Sequence, residues 1–426
     1  MKHHKETFRE AYAVPFTRSV LCTLCLTLLF AVPATVQASL FGACDPCGEV
    51  VCDPCEPLEN CGPKAGQWFL NGHMEAGFFA NAHGKKSFYH EDEEWLGRGA
   101  CVLSGNTGLL QNARLTGGQV NQVYLSAGKS TDGRRGLDIG GTIDFTWGSD
   151  AYLVQARGLE WGAGHGGHGE GRWGTGDYFA AIPQAFAEAS YGQWKIIAGK
   201  FYAPFGIDDY KATNNFFYSW SPTKAIAPTL GGGALAFYRA NDKLTLLGGW
   251  IMPEEIGETS KNNFVAGGFI WALSTNLTVL YVFAAGENTY AGNALAAPYE
   301  LYCHSLKTTY QISKRWKNVL DWTYVDLAVG VGHLNSYSVM DELTFQYNDR
   351  WAFGTRFGFL SDNQFGTGEI LDWYTVSLGA NWTPNQWLTV KPELRYDWAS
   401  GPYKNAFGVN TKSHQFSGGM SAVVKF

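Results

Sequence analysis

The densest chemistry in this chain lies near its start, where Cys44-Asp-Pro-Cys47 and Cys52-Asp-Pro-Cys55 are followed by Cys61. Two such pairs raise a metal site, but only four residues separate them, against about 15–20 in zinc ribbons. An exported chain also meets an oxidising compartment, so disulfides rank ahead of zinc or a cluster for Cys44, Cys47, Cys52, Cys55 and Cys61. Of nine cysteines, Cys22 and Cys25 fall in the leader described below, which leaves seven. The odd one is left for Cys101, Cys303 or another molecule, and an intermolecular disulfide is one expectation.

Two histidine groupings carry less. His165-Gly-Gly-His168 lies in a glycine-rich stretch with Glu160, Glu170 and Asp177 nearby; two imidazoles are too few for a metal, and a solvated loop is the simpler reading. His304-Ser305 has the residue types of a nucleophile and base. Neighbours on one strand point to opposite faces, so these two do not pair. No catalytic residue, metal or cofactor is expected.

The elements that would position side chains start with a leader. Lys2, Lys5, Arg9 and Arg18 precede an apolar run at 20–32 and then Val36-Gln37-Ala38, which reads as a signal peptide over 1–38. The run is too short for a spanning helix. Phe41-Gly42-Ala43 is a poor match to a lipoprotein site at Cys44. Residues 39–66 then form a cysteine-rich periplasmic segment. Removing the leader, with four basic and two acidic residues, takes the net charge from −6 to −8. That balance argues against a nucleic-acid partner and leans toward a lumen favouring cations.

Composition points to strands. The chain holds 52 Gly, 16 Trp, 21 Tyr and 27 Phe with only 16% charged residues, as aromatic girdles and glycine kinks require. Its mean hydropathy of −0.16 is low for a helical membrane protein. From 67 to 426 the period is two. Leu137, Ile139, Ile143, Phe145 and Trp147 alternate with Asp138, Thr142, Asp144 and Thr146; Leu388, Val390, Leu394, Tyr396 and Trp398 face away from Lys391, Glu393, Arg395 and Asp397. A β-sandwich alternates too. Link lengths separate the two: tight turns at 192–193, 240–242, 274–275, 313–314, 348–349 and 383–386 alternate with longer links at 81–118, 148–183, 203–229, 253–262, 286–300, 361–371 and 399–412. Short links on one side and long on the other predict an all-β, transmembrane, antiparallel up-and-down barrel of about 16 strands (range 14–18). The final strand, ending on Phe426, would close the sheet and so remove its edge. A terminal Phe on such a strand resembles the signal read by the barrel-assembly machinery of bacterial outer membranes.

Charged residues facing lipid are costly, about 2–4 kcal/mol for Arg or Lys at mid-membrane. The alternation therefore turns Asp138, Asp144, Glu188, Asp321, Glu342, Arg356, Lys391, Glu393, Arg395 and Asp397 inward as pore-lining candidates. The bland alternative is that they brace the wall.

Asn121-Gln-Val-Tyr124, Gly148-Ser-Asp150, Ile182-Pro-Gln184, Gly199-Lys-Phe-Tyr202, Asn215-Phe-Phe-Tyr-Ser219 and Arg395-Tyr-Asp-Trp398 together resemble the OmpL-like outer-membrane β-barrel porin family (β-barrel porin type two), from about Gly72 to Phe426. The chain departs from that family in its cysteine-rich start and in Ile207-Asp208-Asp209, where the family more often has one acidic residue. By analogy with general porins, the link after the fifth strand folds inward. Here that link is 203–229, with Asp208, Asp209 and Lys211 as constriction residues. The resemblance implies an outer-membrane porin for small hydrophilic solutes or ions; the leader adds export via the signal peptide, and the acidic balance with Asp208 and Asp209 adds a weak preference for cations. Its partners would be outer-membrane lipid and the assembly machinery, with a homo-oligomer or disulfide-linked envelope proteins as further options. A structural envelope barrel is the alternative reading, and an outer-membrane enzyme the third.

Overall fold

The computed structural model describes residues 66–82, 116–156, 158–160, 173–175, 178–253, 262–289, 298–329, 332–363, 370–401 and 412–426. The signal-peptide reading, the five clustered cysteines, Cys101, His165 and His168 lie outside them. Sixteen wall strands run in chain order: β1 (Trp68–Asn81), β2 (Gly117–Lys129), β3 (Asp138–Gly148), β4 in two pieces (Tyr178–Ala181 and Ala185–Tyr191), β5 (Trp194–Tyr202), β6 (Leu230–Asn241), β7 (Leu244–Pro253) and β8 (Asn262–Ser274). The second half comprises β9 (Leu277–Asn288), β10 (Tyr299–Gln311), β11 (Trp316–Val329), β12 (Gly332–Asn348), β13 (Trp351–Asn363), β14 (Ile370–Asn385), β15 (Leu388–Ser400) and β16 (His414–Lys425). Each pairs antiparallel with its neighbour, and β1 pairs with both β2 and β16, so the sheet is closed. Closure reaches the last residue, because Gly72 and Phe426 exchange both backbone hydrogen bonds at 2.8 and 3.0 Å.

The alternation sorts the two faces. Ile139, Ile143, Phe145, Leu394, Tyr396 and Met420 are exposed on the outside, while Asp144, Asp321, Arg356, Lys391, Glu393, Arg395 and Asp397 are buried. An outer face of this kind suits hydrocarbon, since every backbone donor and acceptor of a closed barrel is already paired. Trp316 packs tilted against Phe345 and Trp351 stacks on Trp382 across strands at the turn end; Tyr374 stacks on Trp398 toward the loop end.

Link lengths follow the expected parity with two additions. The link between β2 and β3 holds a short 3-10 turn (Gly133–Arg135), and the link between β11 and β12 has only residues 330–331 although its parity is that of the long links. β9 and β10 also extend to Asn288 and back to Tyr299, so Gly286 belongs to the wall rather than to a loop.

β4 is broken at Ile182-Pro183-Gln184, where proline supplies no ladder donor. The break is filled from the preceding link. Glu160 accepts from the backbone of Ala156 at 2.7 Å and of Ile182 at 3.0 Å, and pairs with buried Lys200 at 2.5 Å. Lys200 also donates to the Val154 carbonyl at 3.1 Å. A buried pair with this many further bonds holds position more than it adds stability.

Candidate functional site: a loop anchored inside the barrel

The link 203–229, after the fifth strand, bonds to inward side chains far around the wall. It contains one 3-10 turn (Ala212–Asn214) and one four-residue helix, α1 (Thr223–Ile226). At its start, the Gly206 N–H donates to Ser305 Oγ, and the Gly206 carbonyl accepts from Lys307 Nζ, both at 3.3 Å on β10. At the far side, Lys211 lies 3.4 Å from Asp144 on β3. Lys391 on β15 donates to the Ala212 and Asn215 carbonyls at 2.6 and 2.5 Å. On the way back, Thr223 and Ser338 on β12 share a hydrogen bond at 2.6 Å.

The tightest anchor is at Ser219. Its N–H donates to Glu393 at 2.8 Å, and its hydroxyl donates to the same carboxylate at 2.6 Å while accepting from Arg356 at 2.7 Å and Arg395 at 3.0 Å. Arg395 also donates to the Trp220 carbonyl at 2.6 Å and to Asp397 at 2.8 Å. Arg356 stacks over Phe217, 4.6 Å from the ring centre. These are charge-assisted bonds in a desolvated place, where leaving one partner unpaired is costly.

Glycines allow the loop to approach this closely. A Cβ on Gly77 would sit 2.5 Å from the Tyr218 hydroxyl, and one on Gly354 would sit 2.4 Å from the Phe216 ring. Both positions need glycine for space alone.

A bulge on β2 supplies further contacts. The register jumps from Glu75↔Gln122 to Ala76↔Val120, so Asn121 is the extra residue. Adjacent residues on a regular strand face opposite ways; the bulge turns both inward. Asn121 accepts from the Tyr218 hydroxyl at 3.0 Å. Gln122 accepts from the Ala212 N–H at 3.1 Å and donates to the Tyr210 carbonyl at 2.7 Å and to Asp150 at 3.1 Å. Asp150 accepts from Ser149 and Asn121 as well. Burial, with Glu75 nearby, holds its carboxyl well above the ordinary carboxylate range.

The sequence-derived residues fall as follows. Asp144, Asp321, Glu342, Arg356, Lys391, Glu393, Arg395 and Asp397 lie on the inward face, and Asp144, Arg356, Lys391, Glu393 and Arg395 meet the loop directly. Asp321 accepts from Ser305 at 2.8 Å, one step behind the Gly206 contact. Asp138 and Glu188 are inward but distant from the loop: Asp138 pairs with Lys129, and Glu188 accepts from the Thr131 N–H and faces Lys195. The acidic pair divides. Asp208 is buried, 3.6 Å from Arg356, and accepts from the Ser221 N–H at 2.9 Å; Asp209 is half-buried and accepts from the Lys211 N–H and the Asn214 side chain. His304 and Ser305 part as alternation requires, His304 among outer aromatics and Ser305 bonded to Asp321 inside. Among the described residues no group of three or more potential metal ligands is present.

Sequence reasoning met Asn121, Gln122, Asp150 and Ser219 only as parts of motifs, with no role at the site, and passed over Glu75. Glu75 alternates with Met74 and Ala76 and was readable by period; Ser219 and the bulged pair gave no periodic signal.

Comparison with known proteins bears on the whole barrel. The chain resembles the outer-membrane-expressed OmpT of Vibrio cholerae (13% identity, TM-score 0.54, covering 86% of this chain and 99% of that one). It resembles the outer-membrane channel DcaP of Acinetobacter baumannii (10%, 0.53, 86% and 99%) and an anion-selective porin from Comamonas acidovorans (9%, 0.53, 84% and 99%) to a similar degree. At these identities the likeness is one of fold. Among curated proteins nothing matches. The family profile described as "Putative beta-barrel porin-2, OmpL-like" matches residues 71–426. That span takes in the whole barrel but the first three residues of β1, with every anchor of the 203–229 loop, and the chain accordingly belongs to this OmpL-like porin family of outer-membrane channels.

Proposed function

We propose that the barrel is a water-filled channel for passive diffusion of small hydrophilic solutes or ions, with loop 203–229 as its constriction and a weak preference for cations. The observation that carries this reading is the loop itself, polar and charged, fixed from β10 across to β3 by inward side chains. Fixed charges in a confined passage act on ions more strongly than charges at a rim, because little water or salt screens them. Asp208 is compensated by Arg356, so Asp209 is the residue of the pair left to bias the passage. The inward wall charges would tune that bias. Export through the 1–38 leader and recognition of the Phe426 strand by the assembly machinery belong to the same proposal.

One observation favours a second reading, a structural envelope barrel: the loop meets the wall on β1, β2, β3, β10, β12, β13 and β15 and so occupies much of the cross-section. Planar-bilayer recording of the purified protein separates the two, since a stoppered barrel gives no channels. For the channel, Asp209→Asn shifts the reversal potential under a salt gradient toward zero, and Asp208→Asn shifts it less. Unchanged reversal potential in a folded Asp209→Asn channel removes the loop from selectivity and leaves the wall charges.

A further inference from the structure

The inward face of the barrel carries unbalanced charge at its turn end. Alternation puts Arg239 of β6 on the side of buried Leu235, Lys317 of β11 on the side of Asp321, and Lys425 of β16 on the side of Ser421, all of which face inward. Each of the three cations sits where its strand meets a short turn or the chain terminus, and each is exposed. They stand five or six strands apart around the wall, so they divide the mouth into near-equal thirds. The inward carboxylates nearby are already engaged. Asp138 pairs with Lys129, Glu188 lies 3.6 Å from Lys195, and Glu342 stands opposite Arg356 in the ladder. Asp321 accepts from Ser305 and Thr323, and an oxygen of the terminal residue Phe426 accepts from the Gly72 N–H. Among the described residues no carboxylate lies within ion-pair distance of Arg239, Lys317 or Lys425.

Fixed charge of one sign around a confined mouth with low-dielectric walls focuses its field and concentrates counter-ions there. We propose that the turn-end mouth is a collecting site for small multivalent anions, solutes with two or more carboxylate or phosphate charges. In outer-membrane barrels the short turns face the periplasm, so the mouth draws these anions in from that side. Attraction to a common field scales with the charge of the solute, and valence is therefore what the mouth selects. The 203–229 loop carries the opposite bias through Asp209, so a multivalent anion collects beneath the loop and obstructs current from that side. The electrical consequence rests on the channel reading; the binding itself rests only on the mouth.

Inorganic tripolyphosphate, titrated calorimetrically into the purified full chain in zwitterionic detergent, tests the binding. It should bind saturably, and binding should weaken steeply from roughly 10 to roughly 100 mM salt, as the screening length falls from about 30 to about 10 Å. Arg239→Gln, Lys317→Gln and Lys425→Gln together should lower affinity about tenfold, the effect of three partly screened charges, and Lys317→Gln alone about twofold. Arg134→Gln, Lys314→Gln and Arg350→Gln together remove the same charge from the exposed turns and links of that end and should lower it less than twofold. Should the first triple variant fail to assemble, Lys317→Gln and Arg239→Gln singly carry the comparison. In planar bilayers the probe should reduce current from one compartment only. Absence of saturable binding overturns the proposal, as does an equal loss in both sets of variants or an equal block from both compartments. Saturable binding that the mouth variants weaken, in a protein that gives no channels, upholds the collecting site and overturns the channel reading instead.

Discussion

The inner wall is two different surfaces. From β5 to β11 it holds an apolar patch beside Ser305, Lys307 and Asp321: Phe201, Leu235, Ile251, Phe264, Val282, Ala284, Cys303 and Val325 form one buried cluster with Phe205 and Ala227 from the two ends of the 203–229 loop. From β12 round to β3 it is ionic and hydrogen-bonded, with Arg356, Lys391, Glu393, Arg395, Asp144 and the Asn121–Gln122 bulge holding the middle of the loop. Apolar contact is non-directional and tolerates sliding, whereas a serine with three charged partners has one position. The loop is therefore tethered by its ends and positioned by its middle. Function that depends on where charges sit should follow the ionic arc, and stability without a selectivity change should follow the apolar one.

Arg395→Ala breaks this contrast most strongly. It strips the Ser219 hydroxyl, the Trp220 carbonyl and Asp397 of a shared donor and leaves Asp397 buried, a loss on the order of 3–5 kcal/mol. Unfolding in detergent, followed by heat-modifiable gel mobility, should show it, and single-channel records should become noisier as the loop loosens. Ile251→Val, in the apolar arc, removes one methylene from the cluster and should cost about 0.5–1.5 kcal/mol with reversal potential unchanged. If Ile251→Val moved selectivity as much as Arg395→Ala, the division into two arcs would be wrong.

The same contrast explains what could be read from the sequence. Period-two alternation exposed the barrel, its strand number and the inward charges, because one lipid-facing and one interior side repeat along every strand. The charged half of the site was legible for that reason. The loop's position came from analogy, and its anchors mostly did not come at all: Ser219 is an ordinary loop serine until Glu393, Arg356 and Arg395 surround it, and Asn121 faces inward only because of a bulge that alternation does not foresee. The motifs that carried the family resemblance do converge here. Asn121 and Gln122, Asp150, Ser219 and Arg395 each belong to one of them, and all meet the loop or its neighbour in space. The apolar arc was the least visible part, since strands with apolar residues on both faces give no alternation to read.

The smallest expected effect concerns Asp150, which belongs to the ionic arc through Gln122. Its pKa is raised by burial first and by the Glu75 carboxylate second. A carboxyl raised in the folded state binds its proton to higher pH than it does unfolded, so the folded state holds more protons in the window above the ordinary carboxylate value. Stability from this group is then greatest on the acid side and falls as pH rises through that window. Asp150→Asn imitates the protonated acid and can still accept from Asn121 and Ser149. At acidic pH it should match the native chain to within about 1 kcal/mol, and the gap between the two should move in favour of the variant as pH is raised toward neutral. Ile251→Val, titrating nothing, should run parallel to the native chain over the same range. Denaturant midpoints for all three proteins between mildly acidic and neutral pH decide it: parallel curves for Asp150→Asn would mean that this carboxylate is charged and compensated in the fold, and the ionic arc would then hold the loop without any dependence on that proton.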